Sequence, residues 1–591
     1  MNETAEAALP RILAATAAAP PPAASEGAPP QWHRGLTVLA AISLFIGTRS
    51  LWIHAMATHP VVAGVVSLCY ASILITGILA LSVRSRAALA RVDLVVLLTA
   101  IALTVCGLAV SHGGSDEAVL TAQATHEILH GNLVYGQPWP FLFLDPHVAV
   151  TPTMFGGIDD TYGYPPLTAL LSVPVYAVIH SAVAVTMVST GALIAGTVAL
   201  WVMVPAPWRS AATMACLGFG MLPGYARMGY PAIIALVLLI PVAVRWPGIG
   251  AGGRLGRPGV LRAVCLGAAC AAQQLPWFVT PFLLAGIYVV RRGELGSRGA
   301  LVVVARFTGV TAAVWLAINA YFIVQDPSGW LSGVTLPITQ GAIIHGQGAV
   351  DLSLYFTDGS SRLSFYSYAS VLLLLGLLGL FVLFIRRLGP AAMVLPWCAF
   401  FVATRSQDGY YLMMTPLWLA SAATVPSSAF AKAWRPRLPV LPRFGRTAKG
   451  VLAAALVAPS LACVAVAAGS SPPLKLRITA EHTTDRAHRN LAALTVWATN
   501  PTDSALTPHF VVSTGQGTSL FWRVRTGPGT LAAHHTSRYV LLPPKDRYFR
   551  LPPSPTKRVR LRAFTPSPAT LTSVDIPRPV GAVDATGGAK P

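Results

Sequence analysis

Carboxylates and imidazoles concentrate in residues 112–165 of a chain in which acidic residues are rare. The sequence has 21 Asp and Glu residues among 591, and the pair Asp116–Glu117 follows directly on a long apolar run. A carboxylate at such a junction is costly unless it is paired or used. The chemistry it could perform is that of a general base, which removes the proton of a hydroxyl group while that oxygen attacks a carbon atom.

The residues after this pair favour a helix, because neither Gly nor Pro occurs before Gly131. Glu127 and His130 lie at offsets from Asp116 that place them on nearly the same helical face, and we expect them to contact substrate. A solvated loop is the alternative interpretation of this polar stripe.

A second acidic pair, Asp159–Asp160, stands just before the Tyr-Gly-Tyr-Pro-Pro sequence that contains Tyr164. These carboxylates could accept hydrogen bonds from a substrate hydroxyl, bind a metal or act in catalysis. They could equally form an Asx-type turn. No spacing demands a metal ion, so we predict neither an essential metal nor a cofactor.

The composition indicates that these residues belong to a membrane protein. Hydrophobic residues make up 54% of the chain and charged residues 11%, and the mean hydropathy is +0.61. Soluble domains carry about 25% charged residues, so a purely soluble or disordered protein is excluded. Apolar runs recur from about residue 36 to 470. At ~20 residues per crossing they predict a polytopic α-helical protein with about 11–14 spans.

Charge predicts the orientation. Subtracting 21 acidic from 42 basic residues leaves +21, and cytoplasmic loops of membrane proteins collect Lys and Arg. Five basic segments are therefore predicted to be cytoplasmic: 84–91, 245–262, 291–292, 386–387 and 432–449. This orientation places 112–165, 326–366, 405–408 and everything after 470 outside the plasma membrane. We predict no nucleic-acid partner, because no soluble basic face is evident.

The chain divides into a tail, a membrane domain and a β-rich domain. Residues 1–34 are predicted to be a disordered cytoplasmic tail rather than a signal peptide. Residues 35–470 form the transmembrane domain. The 166–210 stretch holds two apolar runs where the neighbouring spans require one or three crossings, so either Arg209 faces outside or one run is re-entrant. Short β-branched runs separated by turn signals predict an extracytoplasmic β-sandwich over 471–580, followed by a flexible tail at 581–591.

From residue 471 onward the chain has 16 Lys and Arg against 6 Asp and Glu. A basic face of the β-sandwich could meet anionic lipid headgroups or acidic wall polymers. A solvated stabilising module is the alternative. The outer loop 326–366 is Gly-rich and too polar to span, and we interpret it as a cover over a substrate groove.

The order of motifs over residues 93–425 resembles the GT-C class of glycosyltransferases, especially its bacterial mannosyltransferase and arabinofuranosyltransferase branches. The matching features are Asp116-Glu117 before a helix, Val134-Tyr135-Gly136, Tyr164-Pro165-Pro166-Leu167, Arg227 with Pro231, Gln273-Gln274 with Pro276 and Pro281, and Gln407-Asp408-Gly409-Tyr410-Tyr411 with Pro416. The sequence departs from this pattern in two extra spans before the loop, and in having Gln273 and Gln274 where a basic residue is expected.

The resemblance implies an inverting sugar transfer from a polyprenyl-phosphate donor to an extracytoplasmic glycan or glycolipid during cell-envelope synthesis. Mannose and arabinofuranose are the sugars it implies. In this class the catalytic Asp follows a span, which implies Asp116 as the base, with Glu117 as the alternative. A transporter or flippase of lipid-linked glycans is the rival function.

The remaining predicted roles follow from the donor's chemistry. Its phosphate needs cations near the outer interface, for which Arg405, Arg227 and His126 are the candidates, although snorkelling to lipid headgroups would also explain the arginines. Further substrate-binding candidates are Gln273, Gln274, His345, Tyr410 and Tyr411. For the two tyrosines, an interfacial aromatic belt is the commoner explanation.

Overall fold

The computed structural model describes residues 28–145, 147–436, 441–483, 490–544, 548–552 and 557–577. Most of the predicted N-terminal tail, residues 1–27, and the whole predicted tail at 581–591 lie outside the described residues. The first helix begins at Gln31, so the last four residues assigned to the N-terminal tail are helical.

Helices build the chain from residue 31 to 469. In chain order they are α1 (Gln31–Thr58), α2 (Pro60–Ser82), α3 (Arg86–Val110), α4 (Asp116–His130), α5 (Leu167–Ile179), α6 (Val183–Met203), α7 (Arg209–Leu217), α8 (Met221–Arg227), α9 (Pro231–Ala243), α10 (Gly256–Ala272), α11 (Leu275–Gln325), α12 (Pro327–Thr339), α13 (Ser364–Leu383), α14 (Ile385–Leu388), α15 (Asp408–Met413), α16 (Thr415–Thr424) and α17 (Leu441–Gly469).

Seven of these helices are long and apolar enough to cross a membrane among the residues that the structure describes: α1, α2, α3, α6, α11, α13 and the 449–469 part of α17. A bent pair over 385–402 would make eight. Helices α5 and α9 are apolar but shorter. The protein is therefore helix-rich with several membrane-type helices, as the composition predicts.

Glycines explain why several predicted spans are not single straight helices. Gly220 has a φ of 74° and packs so closely on Gly47 of α1 that a Cβ atom would overlap its carbonyl, and it separates α7 from α8. Gly296, with a φ of 73°, divides the 51-residue α11 into two arms. Only glycine adopts such backbone angles without strain, so the apolar run at 211–227 lies in two short helices rather than in one span.

The structure answers the question of how often residues 166–210 traverse the bundle. Helix α5 has 13 residues, or about 20 Å at 1.5 Å per residue. Gly229 packs against both Ala118, near the start of α4, and Val185, near the start of α6. The far end of α6 leads to Ser210, whose hydroxyl donates to Asp93 near the start of α3. Only α6 joins the two ends, so the stretch makes one traverse.

The β-rich region consists of antiparallel sheets. Its strands are β4 (Lys475–Thr483), β5 (Asn490–Thr499), β6 (His509–Thr514), β7 (Gly517–Thr518), β8 (Arg523–Thr526), β9 (Thr536–Leu542), β10 (Phe549–Arg550), β11 (Val559–Pro566) and β12 (Ala569–Asp575). Three short strands precede them in the helical part: β1 (His345–Gly346), β2 (Gly359–Ser360) and β3 (Arg405–Ser406).

Two five-stranded sheets face each other around an apolar core. One has the order β10-β5-β9-β8 with β4 also on β5, and the other has the order β2-β12-β11-β6-β7. Leu494 and Val496 from the first sheet meet Phe510 and Leu561 from the second in this core. The all-β prediction is confirmed. However, β2 comes from the helical part, so the second sheet is completed from outside 471–580.

The β-rich region docks on the same end of the bundle as the two predicted loops. Arg560 of β11 donates to Asp358 beside β2 at 2.5 Å. The Ile343 amide donates to the Pro152 carbonyl at 3.1 Å. This bond joins the second outer loop, 326–366, to the first outer loop, 112–165. Asp116, the second loop and the β-rich region therefore lie at one end, which we call the site end, and Asp93 lies at the other.

Candidate active site

The first turn of α4 presents the carboxylate pair. The hydroxyl of Ser115 accepts from the Ala118 amide at 2.9 Å, so Ser115 caps the helix and fixes where it starts. Its hydroxyl also donates to the carbonyl of Met228. Acidic side chains are favoured at this end of a helix, because the unpaired amides there carry partial positive charge. Asp116 and Glu117 thus stand on a braced helix terminus.

An extended stretch of the first loop brings Asp159 beside Asp116. The Thr151 hydroxyl donates to Asp116 Oδ2 at 2.6 Å, and the Thr151 carbonyl accepts from the Asp159 amide at 2.9 Å. Thr161 follows in the same loop, and its hydroxyl approaches Asp159 Oδ1 at 3.5 Å. One threonine therefore holds together two carboxylates that are 43 residues apart in sequence, counting from 116 to 159.

Glu117 is the most strongly perturbed acid of this group. Its pKa is raised to about 8, mainly by burial and also by the neighbouring Asp116, whereas the hydroxyl of Tyr164 and the guanidinium of Arg405 oppose the shift. A carboxyl with this pKa is mostly protonated at neutral pH. Glu117 can then donate a hydrogen bond as well as accept one.

Asp159 is perturbed in the same direction by a smaller amount. Burial raises its pKa to about 6, with a further upward contribution from Asp116 and an opposing one from Arg405. Asp160 shows a rise in pKa caused by its own burial, and its carbonyl accepts from the Trp139 amide at 2.7 Å. Perturbed acids that share a recess are a common property of functional sites.

Arg405 brings the positive charge. It lies on β3, which pairs in parallel with β1 so that Arg405 is opposite His345. Its Nε atom is buried and has no hydrogen-bond partner among the described residues. Its charge acts on both Glu117 and Asp159. A guanidinium with unused donors beside acidic groups can bind a phosphate through its planar fork.

A further acid, Asp408, lies close to Arg405 in the chain, and the sequence analysis gave it no role at the site. Asp408 accepts from the Tyr225 hydroxyl at 2.8 Å and from the Gly409 amide at 2.9 Å. Tyr225 in turn packs against Tyr230, with ring centroids 5.1 Å apart. The signal that could have identified Asp408 is its position three residues after Arg405, where acidic residues are scarce.

Two of the predicted substrate tyrosines have different surroundings. Tyr410 lies close enough to Arg405 and Glu117 for their charges to act on its hydroxyl, so it borders the recess. Tyr411 instead hydrogen-bonds Ser406. The Tyr164 hydroxyl hydrogen-bonds Glu117, so Tyr164 lies beside the same acids.

The far half of α4 does not join the carboxylates. Glu127 accepts from Gln123 at 2.5 Å and from Asn132 at 2.8 Å, so its carboxylate is engaged locally. The rings of His126 and His130 contact each other in a tilted arrangement, with centroids 4.2 Å apart. These three predicted residues lie on a surface away from Asp116, since α4 carries them two to four turns along its axis.

Gln273 and Gln274, which were predicted to bind substrate, instead make contacts that suit a structural role. Gln274 donates to the carbonyls of Gly163 at 2.8 Å and Val334 at 2.9 Å, and so ties the first loop to α12. Gln273 accepts from the Leu275 amide at 2.6 Å, which caps the start of α11. The side-chain oxygen of Gln274 is buried without a partner among the described residues.

His345 lies beside Arg405, where the charge of Asp408 acts on its imidazole, whereas Arg227 stands apart from Asp116 and Glu117. His345 contacts the Gln516 carbonyl of the β-rich region at 3.3 Å. The guanidinium of Arg227 lies against Gly107 in α3, and it lines a cavity whose lining includes neither Asp116 nor Glu117. Of the three predicted phosphate ligands, the structure brings Arg405 alone to the carboxylates.

Within the described parts of the chain, no group of three or more His, Cys, Asp and Glu side chains is arranged to hold a metal ion. The recess therefore consists of three acids, one guanidinium and tyrosine hydroxyls. Such a set can accept a proton from a hydroxyl group and can bind a departing anion.

Comparisons with protein-family models, with curated proteins and with solved structures return no match for this chain.

Proposed function

We propose that the protein is an inverting glycosyltransferase of GT-C-like architecture. It moves a sugar from a polyprenyl-phosphate donor to an extracytoplasmic glycan or glycolipid during cell-envelope synthesis. The observation that carries this proposal is the meeting of Asp116, Glu117 and Asp159 with Arg405 in one recess at the site end. A lipid-anchored donor reaches such a recess from the membrane, and a hydrophilic acceptor reaches it from water.

The reaction needs one base and one anion-binding group. The Asp116 carboxylate takes the proton of an acceptor hydroxyl, and that oxygen forms a bond to the anomeric carbon. The bond from the anomeric carbon to the phosphate oxygen breaks, and the phosphate leaves with the electron pair. Arg405 stabilises the resulting negative charge. Attack opposite the leaving group inverts the anomeric configuration, and the phosphate needs no protonation, unlike the leaving group of a glycoside hydrolase.

The pKa of Glu117 supports Asp116 as the base. With a pKa of about 8, Glu117 is largely uncharged at pH 7, and a neutral carboxyl cannot accept the proton. We expect Glu117→Gln to keep transfer within about tenfold of wild type at pH 7, because an amide resembles the neutral carboxyl. We expect Asp116→Asn to lose at least ~10²-fold, the lower range for a missing general base.

The proposal places the site end outside the plasma membrane. The basic segment 84–91 leads into α3, and α3 begins at the end of the bundle opposite Asp116. Basic loops favour the cytoplasm, which makes the recess and the β-rich region extracytoplasmic in a multi-pass arrangement. Counting the broken and shorter apolar helices as crossings brings the number from seven towards the 11–14 expected from hydropathy.

A transfer assay with purified protein tests the proposal. The substrates are polyprenyl-phosphate mannose, polyprenyl-phosphate arabinofuranose and a short glycan acceptor. We expect transfer of one sugar by wild type, and its loss in Asp116→Asn. Asp503→Asn is the matched control, because Asp503 lies in the β-rich region, exposed and paired with His534.

Two results would contradict the proposal. One is transfer by a correctly folded Asp116→Asn protein at the wild-type rate. The other is the translocation of lipid-linked sugar across vesicles by wild type with no transfer to any acceptor, which would favour a flippase. A transporter would favour charges near the bilayer midplane, whereas the acids described here lie at one end of the bundle.

A further inference from the structure

A cavity separate from the carboxylate recess lies between α1, α3 and the segment from α7 to α8. Its volume is about 200 Å³. A single water molecule needs about 10–15 Å³ of such space, so a tetrahedral anion fits with room for water. The lining includes Arg227 together with five polar residues: Thr48, Ser50, His54, Thr104 and Ser111.

Arg227 lacks a partner in this cavity. No described residue accepts a hydrogen bond from its guanidinium or forms an ion pair with it, and the side chain is partly buried. Its charge lies beside Gly107, about one turn before the end of α3. A partly buried charge without a counterion is costly. The cost is offset when an anion occupies the cavity.

The guanidinium of Arg227 lies directly against Gly107 of α3. A Cβ atom at residue 107 would overlap the Arg227 Nη1 atom, so an alanine there would push the end of this side chain aside. The chain therefore has a small residue where the guanidinium passes and hydroxyl groups where an anion would sit.

We propose that this cavity binds the phosphate group of a lipid, at a place distinct from the phosphate site formed by Arg405. Arg227 supplies the charge, and the side chains of Ser50, Ser111 and His54 supply hydrogen bonds. Lipid phosphates are the anions that a cavity at the end of α1 and α3 meets in the membrane, and a guanidinium pairs with phosphate through two parallel hydrogen bonds.

The bound phosphate would also steady the catalytic helix. The carbonyl of Arg227 accepts from the Gly113 amide at 3.1 Å, and the carbonyl of Met228 accepts from the Ser115 hydroxyl that caps α4. An anion that fixes Arg227 therefore fixes the backbone on which the start of α4 rests. Binding of a lipid phosphate at Arg227 does not depend on the proposed sugar transfer at Asp116.

Native mass spectrometry of the purified full chain tests the site. The protein is titrated separately with phosphatidylglycerol, undecaprenyl phosphate and inorganic phosphate. We expect Arg227→Gln to weaken binding of the lipid phosphate by about tenfold or more, as the loss of a charge-assisted hydrogen-bonded pair does. Arg49→Gln is the matched control, because Arg49 is exposed on α1 one residue from the cavity, and it should bind as wild type does.

A second variant separates loss of the site from loss of the fold. Gly107→Ala keeps every charge but displaces the guanidinium, and it should weaken binding in the same direction as Arg227→Gln. Arginine-dependent binding of phosphatidylglycerol identifies a membrane lipid as the source, and dependence confined to undecaprenyl phosphate identifies the carrier lipid. Binding of inorganic phosphate alone, or lipid binding unchanged in both variants, would overturn the proposal.

Discussion

The Thr151 hydroxyl donates to Asp116 Oδ2 at 2.6 Å across 35 residues of sequence. The same residue accepts the Asp159 amide through its carbonyl. Asp116 also accepts from the Glu117 amide at 2.9 Å through its other oxygen. Both oxygens of the Asp116 carboxylate are therefore fixed by hydrogen bonds. For the base proposed above, this fixed orientation means that little entropy is lost when it meets a hydroxyl group.

Removal of this hydroxyl should impair transfer without removing the base. We expect Thr151→Val to lower kcat by about 10-fold to 100-fold, which corresponds to the ~1.5–3 kcal/mol of a hydrogen bond to a charged group. Thr151→Ser keeps the hydroxyl and should retain most activity. Steady-state kinetics with a polyprenyl-phosphate sugar measure the effect. Equal kcat for the Val and Ser variants would show that Thr151 has no part in orienting Asp116.

Arg405 should act on the departing phosphate. We expect Arg405→Gln to lower kcat/KM by about 10²–10³-fold, the range for loss of one donor that stabilises developing negative charge. Arg405→Lys keeps the charge but loses the planar fork, so its activity should be intermediate. Initial rates at several donor concentrations separate binding from turnover. A change in KM for the acceptor alone would argue against a role at the phosphate.

The same substitution should alter the pH dependence. Arg405 lowers the pKa of Asp159, which nevertheless stands at about 6 because burial dominates. Without the guanidinium this pKa rises, so Asp159 takes up its proton at a higher pH. We expect the pH at which Asp159 takes up its proton to rise more in Arg405→Gln than in Arg405→Lys, and any limb of the pH–rate profile that Asp159 controls to move with it. An unmoved limb in both variants would mean that Asp159 does not control the rate.

Some of these features could be predicted from the sequence because they depend on local composition. Rare acids directly after an apolar run identified Asp116 and Glu117, and the structure brings both into the recess. Alternating β-branched residues with turn signals identified the β-rich region, since the side chains of a strand alternate between its faces. Both patterns are complete within a short stretch of chain.

Other features depend on contacts that no local pattern encodes. Thr151 is a common residue type in a loop, and its role arises only when the chain folds back. Tyr225 and Asp408 meet across 183 residues. Arg227 stands at the predicted interface but turns towards Gly107, because that glycine leaves space. Sequence spacing gives the end of the bundle at which a residue lies, but not the direction of its side chain.

Glu117 should make stability depend on pH. Its pKa rises from 4.5 to about 8 on folding, so between these values the folded state holds a proton that the unfolded chain has released. Raising the pH through this window therefore favours unfolding. Glu117→Gln does not titrate, and we expect it to match wild type below pH ~4.5 and to be more stable above pH ~8.

Thermal unfolding at pH 4.5, 7 and 9 in one detergent measures this difference. Glu127→Gln is the control, because Glu127 lies on the same helix and is hydrogen-bonded by Gln123 and Asn132. It should show no stabilisation that grows with pH. A wild-type Tm that is as insensitive to pH as that of Glu117→Gln would contradict a raised pKa at residue 117.

Docking of the β-rich region should depend on Arg560. Its guanidinium donates to Asp358 at 2.5 Å, to the Thr357 carbonyl at 2.9 Å and to Asp575 at 3.0 Å. Arg560 is only 8% exposed, whereas the side chains of Asp358 and Asp575 are 73% and 57% exposed. Arg560→Gln therefore loses these hydrogen bonds at a cost below about 1–3 kcal/mol, because water can hydrate the freed carboxylates.

We expect Arg560→Gln to lower the Tm and to increase cleavage of the second loop by added protease, because β2 holds that loop against β12. Arg538→Gln is the comparison, since Arg538 is exposed on β9 and should leave both measurements unchanged. The second loop also carries β1, which pairs with β3 at Arg405. Loosening it should therefore weaken transfer through Arg405, and full activity with a freely cleaved loop would disprove this coupling.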